Sequence, residues 1–243
     1  MTDDTLGDHP HLYEGRELEA ASNLVNYYRW ITDLFSPYLK GSGTEIGAGV
    51  GTYSAYLRPF FSSMDLVEPS PRQLPDLTAK FGDDPDVRLF SETIEAYRAK
   101  VGDASRDCFC LVNVLEHIEN DVAALDDMTA MLKPGGHVCV FVPALPMLYS
   151  KLDEILGHFR RYTKPELDGK FENAGLEIVK TAYMDVLGVP AWGLINTLLG
   201  SKTLNPKMAA IYDAACVPVT RAVESVVPVP FGKSLLIVGK KRG

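Results

Sequence analysis

Glu45-Ile46-Gly47-Ala48-Gly49-Val50-Gly51 is the stretch of sequence that decides the fold of this chain. Its first two residues end a short apolar strand predicted over Thr44–Ile46, and a helix is predicted after it over Thr52–Phe61. Glycines at these positions let the backbone turn sharply and approach a ligand without interference from Cβ atoms. The next predicted strand stops at Glu68, about 20 residues on, where a carboxylate can accept both hydroxyl groups of a ribose. The spacing therefore predicts a nucleoside-binding loop.

Electrostatics distinguish two nucleoside cofactors that such a loop could hold. A dinucleotide such as NAD presents a pyrophosphate to the N-terminus of the following helix, and a carboxylate beside that pyrophosphate is unfavourable. S-adenosylmethionine (SAM) has no phosphate and carries a sulfonium, an ammonium and one carboxylate. Glu45 lies just before the glycines. Its carboxylate would repel a pyrophosphate there, but it is compatible with the ammonium of a methionyl group. The charges therefore favour SAM.

Outward from this loop, apolar strands alternate with amphipathic helices. An N-terminal helix is predicted over Arg16–Leu39, and Lys133-Pro134-Gly135-Gly136 is predicted to end a helix over Asp121–Leu132. Near-continuously apolar strands separated by helices indicate a doubly wound, Rossmann-like α/β fold with a parallel sheet covered on both faces. The predicted strands after the first are Met64–Val67, Val87–Phe90, Asp107–Val114, His137–Val142, Leu176–Tyr183 and Ser234–Val238.

Composition narrows the functional classes. The 243 residues include 24 Lys+Arg and 32 Asp+Glu, so the formal charge of 24 − 32 = −8 argues against a nucleic-acid binder. The 4 cysteines lack the paired spacing of a zinc site. The start of the chain does not resemble a signal peptide, and the apolar stretch Val186–Leu199 is shorter than the roughly 20 residues that span a bilayer. We therefore expect a cytoplasmic protein with no membrane insertion.

Four motifs together resemble the class I SAM-dependent methyltransferases, in particular the small-molecule enzymes of the ubiquinone-biosynthesis-like group. They are Glu45–Gly51, Leu66-Val-Glu-Pro69, Val112-Asn-Val-Leu-Glu-His-Ile118 and Leu132-Lys-Pro-Gly-Gly136. The resemblance implies a seven-stranded sheet whose last strand is antiparallel, with a helical insertion before that strand. It also implies one methyltransferase domain over residues 1–243, comprising a cap helix (16–40), a SAM-binding half (41–143) and a substrate-side half (144–243) with the insertion at 186–231.

The same resemblance assigns cofactor-binding residues. It implies that Gly47 and Gly49 contact the methionyl part of SAM, that Glu68 takes the ribose diol, and that Asn113 lies beside the ammonium and sulfonium. Ligands bind at the carboxyl ends of such strands, which agrees with the position of Asn113.

Two further positions complete the expected cofactor site. Glu92, with Thr93, falls where the family reads the adenine amino group. Tyr28, flanked by Tyr27 and Arg29 on the N-terminal helix, either caps the methionine carboxylate or packs in the core.

Methyl transfer from a sulfonium is an in-line displacement with a neutral leaving group, so positioning the acceptor matters most. A hydroxyl acceptor also needs a base, whereas a neutral amine needs less help. An imidazole suits that role, and His158 lies in Leu156-Gly-His-Phe-Arg-Arg-Tyr-Thr163, where the family forms its substrate pocket. Related enzymes often carry a similar His-x-Arg-Arg-Tyr-Thr stretch. His158 is therefore the predicted catalytic base for transfer to a hydroxyl oxygen.

Five residues are predicted to contact the acceptor: His117, Tyr149, Arg160, Arg161 and Tyr162. Two arginines in a row could clamp an anionic group. In the other interpretation, the arginines pair with Asp153 and Glu154 to hold the loop and Tyr162 lies in the core, while His117 starts a helix and bonds to the backbone.

Several alternatives stay open. The reaction could be N-methylation of a heterocycle or amine, and less favoured alternatives are a nicotinamide-dependent oxidoreductase or a SAM-binding subunit without catalysis. Asp153-Glu154 with Asp126-Asp127 matches no metal-binding loop, so no metal is expected. The insertion over 186–231 is interpreted as a lid or as the surface of a homodimer, with a membrane patch the weakest reading.

Overall fold

A seven-stranded sheet organises the part of the chain that the computed structural model describes, residues 24–198 and 205–243. Its strands lie in the order β3-β2-β1-β4-β5-β7-β6. In chain order they are β1 (Ser42–Ile46), β2 (Ser63–Val67), β3 (Val87–Phe90), β4 (Arg106–Val112), β5 (Leu132–Pro143), β6 (Leu176–Met184) and β7 (Ser234–Lys241).

Strand directions place a crevice at the centre of this sheet. Strands β1 to β5 are parallel, and β7 runs antiparallel to both β5 and β6. The prediction of a doubly wound, Rossmann-like sheet with an antiparallel last strand is therefore confirmed. The chain leaves β1 toward β2 on one side and returns to β4 on the other, and ligands bind at such a switch point.

Ten helices connect or flank these strands in the described ranges. The predicted helix over Thr52–Phe61 is shorter than expected, because Pro59 lies in a 3-10 turn that follows it. In chain order the helices are α1 (Val25–Phe35), α2 (Ser54–Leu57), α3 (Leu74–Phe81), α4 (Ile94–Val101), α5 (Asp121–Met131), α6 (Lys151–Ile155), α7 (Lys164–Asn173), α8 (Gly188–Trp192), α9 (Pro206–Ile211) and α10 (Val217–Glu224).

Successive side chains of the central strand β4 point to opposite faces of the sheet, and apolar side chains on both faces explain why helices cover both. On β4, Phe109 and Leu111 pack into one apolar layer, whereas Cys108 and Cys110 pack into the layer on the opposite face. All four side chains are fully buried, which is typical of a parallel strand between two helical layers. The three cysteines of β4 and β5 are free thiols in this core.

The turn at Lys133–Gly136 differs from the prediction. Helix α5 ends at Met131, as expected, but the four residues lie inside β5 instead of before it. Leu132 pairs with Arg106 and His137 with Cys108, so β5 advances five residues while β4 advances two. The extra residues form a bulge that the local sequence alone does not distinguish from a turn.

The helical insertion between β6 and β7 anchors the N-terminal helix. Asp213 of the insertion accepts hydrogen bonds from the backbone N–H groups of Asn26 (3.0 Å) and Tyr27 (2.9 Å), so it caps α1. Residues 16–23 of the predicted N-terminal helix lie outside the described residues. The prediction of a helical insertion is confirmed over its described part.

No helix within residues 24–198 and 205–243 has both the length and the apolar character that crossing a bilayer requires.

Candidate active site

A cavity of about 670 Å³ opens at the carboxyl ends of β1, β2, β4 and β5. Its size is within the range of small-molecule sites. The glycine loop after β1 lines this cavity, and so do His117, His158 and Arg161. Trp192 of the insertion also lines the cavity, so the segment before β7 contributes to this site. The predicted cofactor-binding residues thus share one cavity with His158 and with two of the five predicted acceptor residues, His117 and Arg161.

The glycine loop has a backbone that only glycine adopts easily. Gly47 and Gly49 have φ angles of 71° and 57°. A Cβ atom on Gly47 would lie 2.5 Å from the side chain of Val114, closer than packed atoms approach. The N–H groups of Gly47 and Ala48 both donate to the carbonyl oxygen of Val67, at 2.8 and 3.1 Å. The loop is therefore tied to the end of β2, beside Glu68.

Glu68 holds the glycine loop and faces the cavity. Its Oε2 accepts from the N–H of Gly49, and its Oε1 accepts from the N–H of Ser70, both at 2.8 Å. Burial raises the pKa of this carboxyl above its ordinary value, while the two backbone hydrogen bonds counteract that rise. Each oxygen retains a lone pair, so the carboxylate can still accept from a ligand diol.

Glu45 is a second carboxyl group on the cavity wall. It is 3% exposed and accepts a hydrogen bond from the hydroxyl of Ser54. Burial raises its pKa to about 8, and the nearby charge of Glu68 adds to the rise. In the ligand-free protein at neutral pH, Glu45 is therefore mostly a neutral acid that a cationic ligand would ionise.

The predicted adenine-binding residues lie at the start of α4. Thr93 caps that helix by accepting from the N–H of Ala96 at 3.5 Å. Glu92 is paired with Lys100 through Oε1, while its Oε2 is buried and accepts no hydrogen bond from the described residues. Both Glu92 and Thr93 line the cavity.

Asn113 and Tyr28 line the middle of the cavity. Asn113 follows β4 with a φ of 54°, and its N–H donates to the carbonyl of Phe141 at 2.8 Å. Tyr28 packs its ring against Tyr53 and Tyr56, with centroids 5.4 and 5.6 Å away. Both residues have side chains on the cavity wall, as their predicted roles require.

The two residues beside Tyr28 on α1 differ in their exposure to solvent. Tyr27 is buried and donates its hydroxyl hydrogen to Asp185 at 3.1 Å. Arg29 is exposed and is not among the residues that line the cavity.

His158 is oriented by a buried carboxylate. Its Nδ1 lies 2.9 Å from Oδ1 of Asp153, which has no exposed surface. Burial alone would raise the pKa of Asp153, but hydrogen bonds from His158 and Arg161 hold it at about 2. An ionised Asp153 fixes the proton of His158 on Nδ1, which leaves Nε2 as the acceptor nitrogen.

Asp153 makes more contacts than its sequence position indicates. The sequence offers it as an ion-pair partner for the arginines or as part of a metal site, and in the structure it pairs with Arg161 at 2.8 Å. It also closes a capping box with Ser150 at the start of α6. The signal in the sequence was the spacing of Asp153 and His158 across one short helix and its following turn.

The remaining predicted acceptor residues are committed to internal contacts. Arg160 pairs with Asp121 at 2.8 Å, and Tyr162 is fully buried with its hydroxyl donating to the same carboxylate, also at 2.8 Å. Tyr149 donates to the carbonyl of His158 at 2.7 Å. These three side chains do not line the cavity; Arg161 does, although Asp153 holds its guanidinium.

Glu116 is a residue that the sequence reasoning missed. It is fully buried, and neither carboxylate oxygen accepts a hydrogen bond from the described residues. Burial raises its pKa to about 7, while the charge of His158 lowers it. The signal was its position beside His117 in the motif after β4, where only the histidine was considered.

Two groups of side chains within the described ranges bring metal-ligand atoms within 4.8 Å of one another. One is Cys108, Cys110 and Cys139 in the core, and the other is Glu116, His117 and His158 at the cavity. The rings of His117 and His158 lie 4.6 Å apart at 83°.

Three of the four acidic residues weighed as a magnesium site pair with cationic side chains or with a histidine. Asp127 contacts Arg98 at 2.7 Å, Glu154 contacts Lys151, and Asp153 is held by His158 and Arg161.

Comparisons with known proteins identify the family and the fold. A family model described as a methyltransferase domain matches residues 7–181. No curated protein matches the sequence.

Solved structures share the fold at low sequence identity. A chain from the complex between the Haloferax volcanii Trm112 methyltransferase activator and a methyltransferase is 17% identical, with a TM-score of 0.64, covering 96% of this chain and 100% of that one. A SAM-dependent methyltransferase from Archaeoglobus fulgidus is 16% identical (TM-score 0.61; 90% and 94% covered). A Thermotoga maritima SAM-dependent methyltransferase, a possible histamine N-methyltransferase, is 20% identical (TM-score 0.60; 95% and 94% covered).

Proposed function

The chain belongs to the methyltransferase-domain family, and from that premise we propose that it transfers the methyl group of SAM to a hydroxyl oxygen of a small molecule. Membership in the family makes it an enzyme with SAM as its cofactor. The observation that carries the finer proposal is the Asp153–His158 pair, whose histidine lines the same cavity as the glycine loop. An imidazole with its proton fixed on Nδ1 is suited to accept a proton at Nε2.

We assign the cofactor to the glycine-loop side of the cavity. Gly47 and Gly49 let the backbone approach the methionyl part, and Glu68 accepts the ribose hydroxyls with its remaining lone pairs. Glu45 compensates the ammonium, and Asn113 lies at the end of β4 beside the sulfonium. Glu45 and Asn113 then lie beside the two positive charges of SAM, which are its ammonium and its sulfonium.

We assign the two ends of SAM to the residues that flank this centre. Glu92, with its unbonded Oε2, accepts from the adenine amino group next to Thr93. Tyr28 faces the methionine carboxylate from α1.

The chemistry then follows from charge and direction. The acceptor oxygen attacks the methyl carbon, the C–S bond breaks, and its electron pair remains on the neutral sulfur of S-adenosylhomocysteine (SAH). The hydroxyl proton passes to Nε2 of His158. Asp153 acts through His158 as a positioning residue, since it fixes the tautomer and stabilises the imidazolium.

The acceptor that this wall fits is uncharged. Arg161 lines the cavity but is held by Asp153, and its guanidinium lies 4.6 Å from the ring of Trp192. Arg160 is engaged by Asp121. We therefore assign both arginines to holding the loop, and we assign the binding of the acceptor to His117, Trp192 and the surrounding apolar wall.

Several coarser features complete the proposal. We treat residues 1–243 as one methyltransferase domain of the small-molecule, ubiquinone-biosynthesis-like group, acting in the cytoplasm. The segment over 186–231 serves as a lid, because Trp192 reaches the cavity from it, and a homodimer through the same segment is the accompanying proposal. The alternative reaction is N-methylation, the activity suggested for the Thermotoga maritima structure.

Tritium transfer from methyl-labelled SAM tests the reaction, with catechol as a hydroxyl probe and histamine as an amine probe. We expect labelling of the hydroxyl probe, and His158→Gln should slow it by about 10²–10⁴-fold with an unchanged Kd for SAH. His137→Gln is the matched control, because His137 lies within β5 and is not among the residues that line the cavity. Labelling of histamine alone would contradict the hydroxyl assignment, and unchanged turnover in His158→Gln would remove the proposed base.

A further inference from the structure

Lys233 is a cation on the cavity wall that the proposed reaction does not use. It directly precedes β7, and its carbonyl oxygen accepts from the N–H of Ala144, just after β5, at 2.8 Å. The loop that carries His158 is tied to the same strand end, because the N–H of Tyr162 donates to the carbonyl of Pro143 at 3.0 Å. The segments that carry Lys233 and His158 therefore meet at the carboxyl end of β5.

A buried carboxylate, Asp185, fixes the position of the Lys233 ammonium. Asp185 has no exposed surface, and its Oδ2 lies 2.9 Å from Nζ of Lys233. Burial alone would raise the pKa of Asp185, but the charge of Lys233, together with hydrogen bonds from Lys233 and two tyrosine hydroxyls, holds that pKa below its ordinary value. Asp185 is therefore ionised at neutral pH, and the two residues form an ion pair with no net charge.

The ion pair leaves donors of Lys233 unused. Asp185 also accepts from the hydroxyl of Tyr27 at 3.1 Å, from the N–H of Gly188 at 3.0 Å, and from the hydroxyl of Tyr212. An ammonium has three N–H groups, and within residues 24–198 and 205–243 Nζ of Lys233 donates to no oxygen besides that of Asp185. The rings of Tyr27 and Tyr212, with centroids 5.0 and 5.9 Å from Nζ, hold the cation without supplying an oxygen acceptor.

Two hydroxyl groups make the wall beside Lys233 polar. The hydroxyls of Tyr27 and Ser234 lie 3.1 Å apart, and both residues line the cavity. Because Tyr27 gives its one hydroxyl hydrogen to Asp185, Ser234 is the donor in this contact. Of these three wall residues, Lys233 is therefore the one with donors left for a ligand, and its side chain is 23% exposed.

We propose that Lys233 binds a carbonyl oxygen of the acceptor, at a position away from the hydroxyl that is methylated; this inference rests on the proposed function. A carboxylate at this place would add a second negative charge beside that of Asp185, whereas a carbonyl oxygen accepts the hydrogen bond without adding one. The substrate class is then an uncharged, hydroxyl-bearing carbonyl compound. Lys233 is its specificity-determining residue.

Calorimetric binding of paired probes to the full chain saturated with SAH tests this subsite. The probes are 4-acetylcatechol, which carries a ketone, and 4-ethylcatechol, which has nearly the same shape without the oxygen. We expect the wild type to bind the ketone about 10-fold more tightly. This comparison requires no variant, and it does not depend on methyl transfer.

Lys233→Met identifies the donor, because it removes the ammonium and keeps the length of the side chain. The two probes should then bind with nearly equal Kd, and the carbonyl stretching frequency of the bound ketone should rise in infrared difference spectra. A lysine that only held the fold would change the binding of both probes alike. Lys151→Met is the matched control, because that lysine pairs with Glu154 at the surface.

The outcomes separate the subsite from the reaction. Equal binding of the two probes by the wild type, or a preference for the ketone that survives in Lys233→Met, would overturn the subsite. Tighter binding of protocatechuate, the carboxylate analogue, than of the ketone would overturn the carbonyl assignment. A preference for the ketone without methylation of any hydroxyl probe would support the subsite and would overturn the proposed transfer to oxygen.

Discussion

Binding of SAH should release a proton near neutral pH, because Glu45 changes its charge when the ligand binds. In the ligand-free cavity this carboxyl is buried, with a pKa raised to about 8 by burial. In the proposed arrangement the ammonium of SAH lies beside this carboxyl, where it favours the ionised form and lowers that pKa. The proton lost by Glu45 therefore leaves with the binding event.

The size of the effect follows from the pKa. At pH 7 an acid with a pKa of about 8 is about nine-tenths protonated, so SAH binding should release about 0.9 proton. If Glu45 stays ionised in the complex, the Kd for SAH should tighten by about 50-fold between pH 6 and pH 8. The affinity gain levels off once Glu45 is ionised in the free protein.

In the free protein, the raised pKa of Glu45 makes the free energy of unfolding depend on pH in the opposite sense to a carboxylate whose pKa is lowered by folding. Between the unfolded value of 4.5 and about 8, the folded state binds one more proton than the unfolded chain at this position. The contribution of Glu45 to the free energy of unfolding therefore falls as pH rises, by about 1.4 kcal/mol per pH unit. Glu45→Gln should remove this slope.

Isothermal titration calorimetry in buffers of different ionisation enthalpy measures the released protons directly. Glu92→Gln is the matched control, because it removes a second cavity carboxylate without touching Glu45. We expect proton release to disappear in Glu45→Gln and to persist in Glu92→Gln. A wild-type enzyme that releases no proton at pH 7, or whose Kd for SAH is constant from pH 6 to pH 8, would refute the reasoning.

Three further predictions concern the loop, the base and the ribose. Gly47→Ala should lower the free energy of unfolding in urea by about 1–3 kcal/mol more than Gly102→Ala does. Both glycines have positive φ, but only a Cβ atom on Gly47 would clash, with the side chain of Val114. Equal losses of stability would contradict this clash. Asp153→Asn should slow methyl transfer by about 10²-fold or more with SAH affinity retained; full turnover would show that tautomer control is unimportant. Glu68→Gln should weaken SAH binding by about 10-fold in calorimetry, more than Glu92→Gln, and the reverse order would misplace the ribose.

The fold was predictable because its signals are local. Strand β3 was predicted with the bounds Val87–Phe90 that the structure shows, since apolar residues and flanking polar ones define it within four positions. The glycine loop was readable for the same reason, because positive φ at Gly47 and Gly49 requires that residue type. Alternating strands and helices then left few topologies to consider.

The acceptor side was less predictable because its contacts are set by packing. Nothing in the sequence shows that Glu116 is buried and accepts no hydrogen bond from the described residues, since its burial depends on the loop that carries His158. Arg160 and Tyr162 look like ligand-binding residues, but they share a buried carboxylate, Asp121, contributed by α5. Asp213 caps α1 although most of the chain separates the two in sequence, and no local sequence pattern encodes such a contact.

A crystal structure of the full chain with SAH tests the central claim most directly. We predict that the ribose hydroxyls bond to Glu68, that the methionyl group lies along Gly47 and Gly49, and that the sulfur faces His158 across the cavity. SAH bound with its ribose away from Glu68, or with its sulfur turned from His158, would contradict the assignment of the two sides of the cavity.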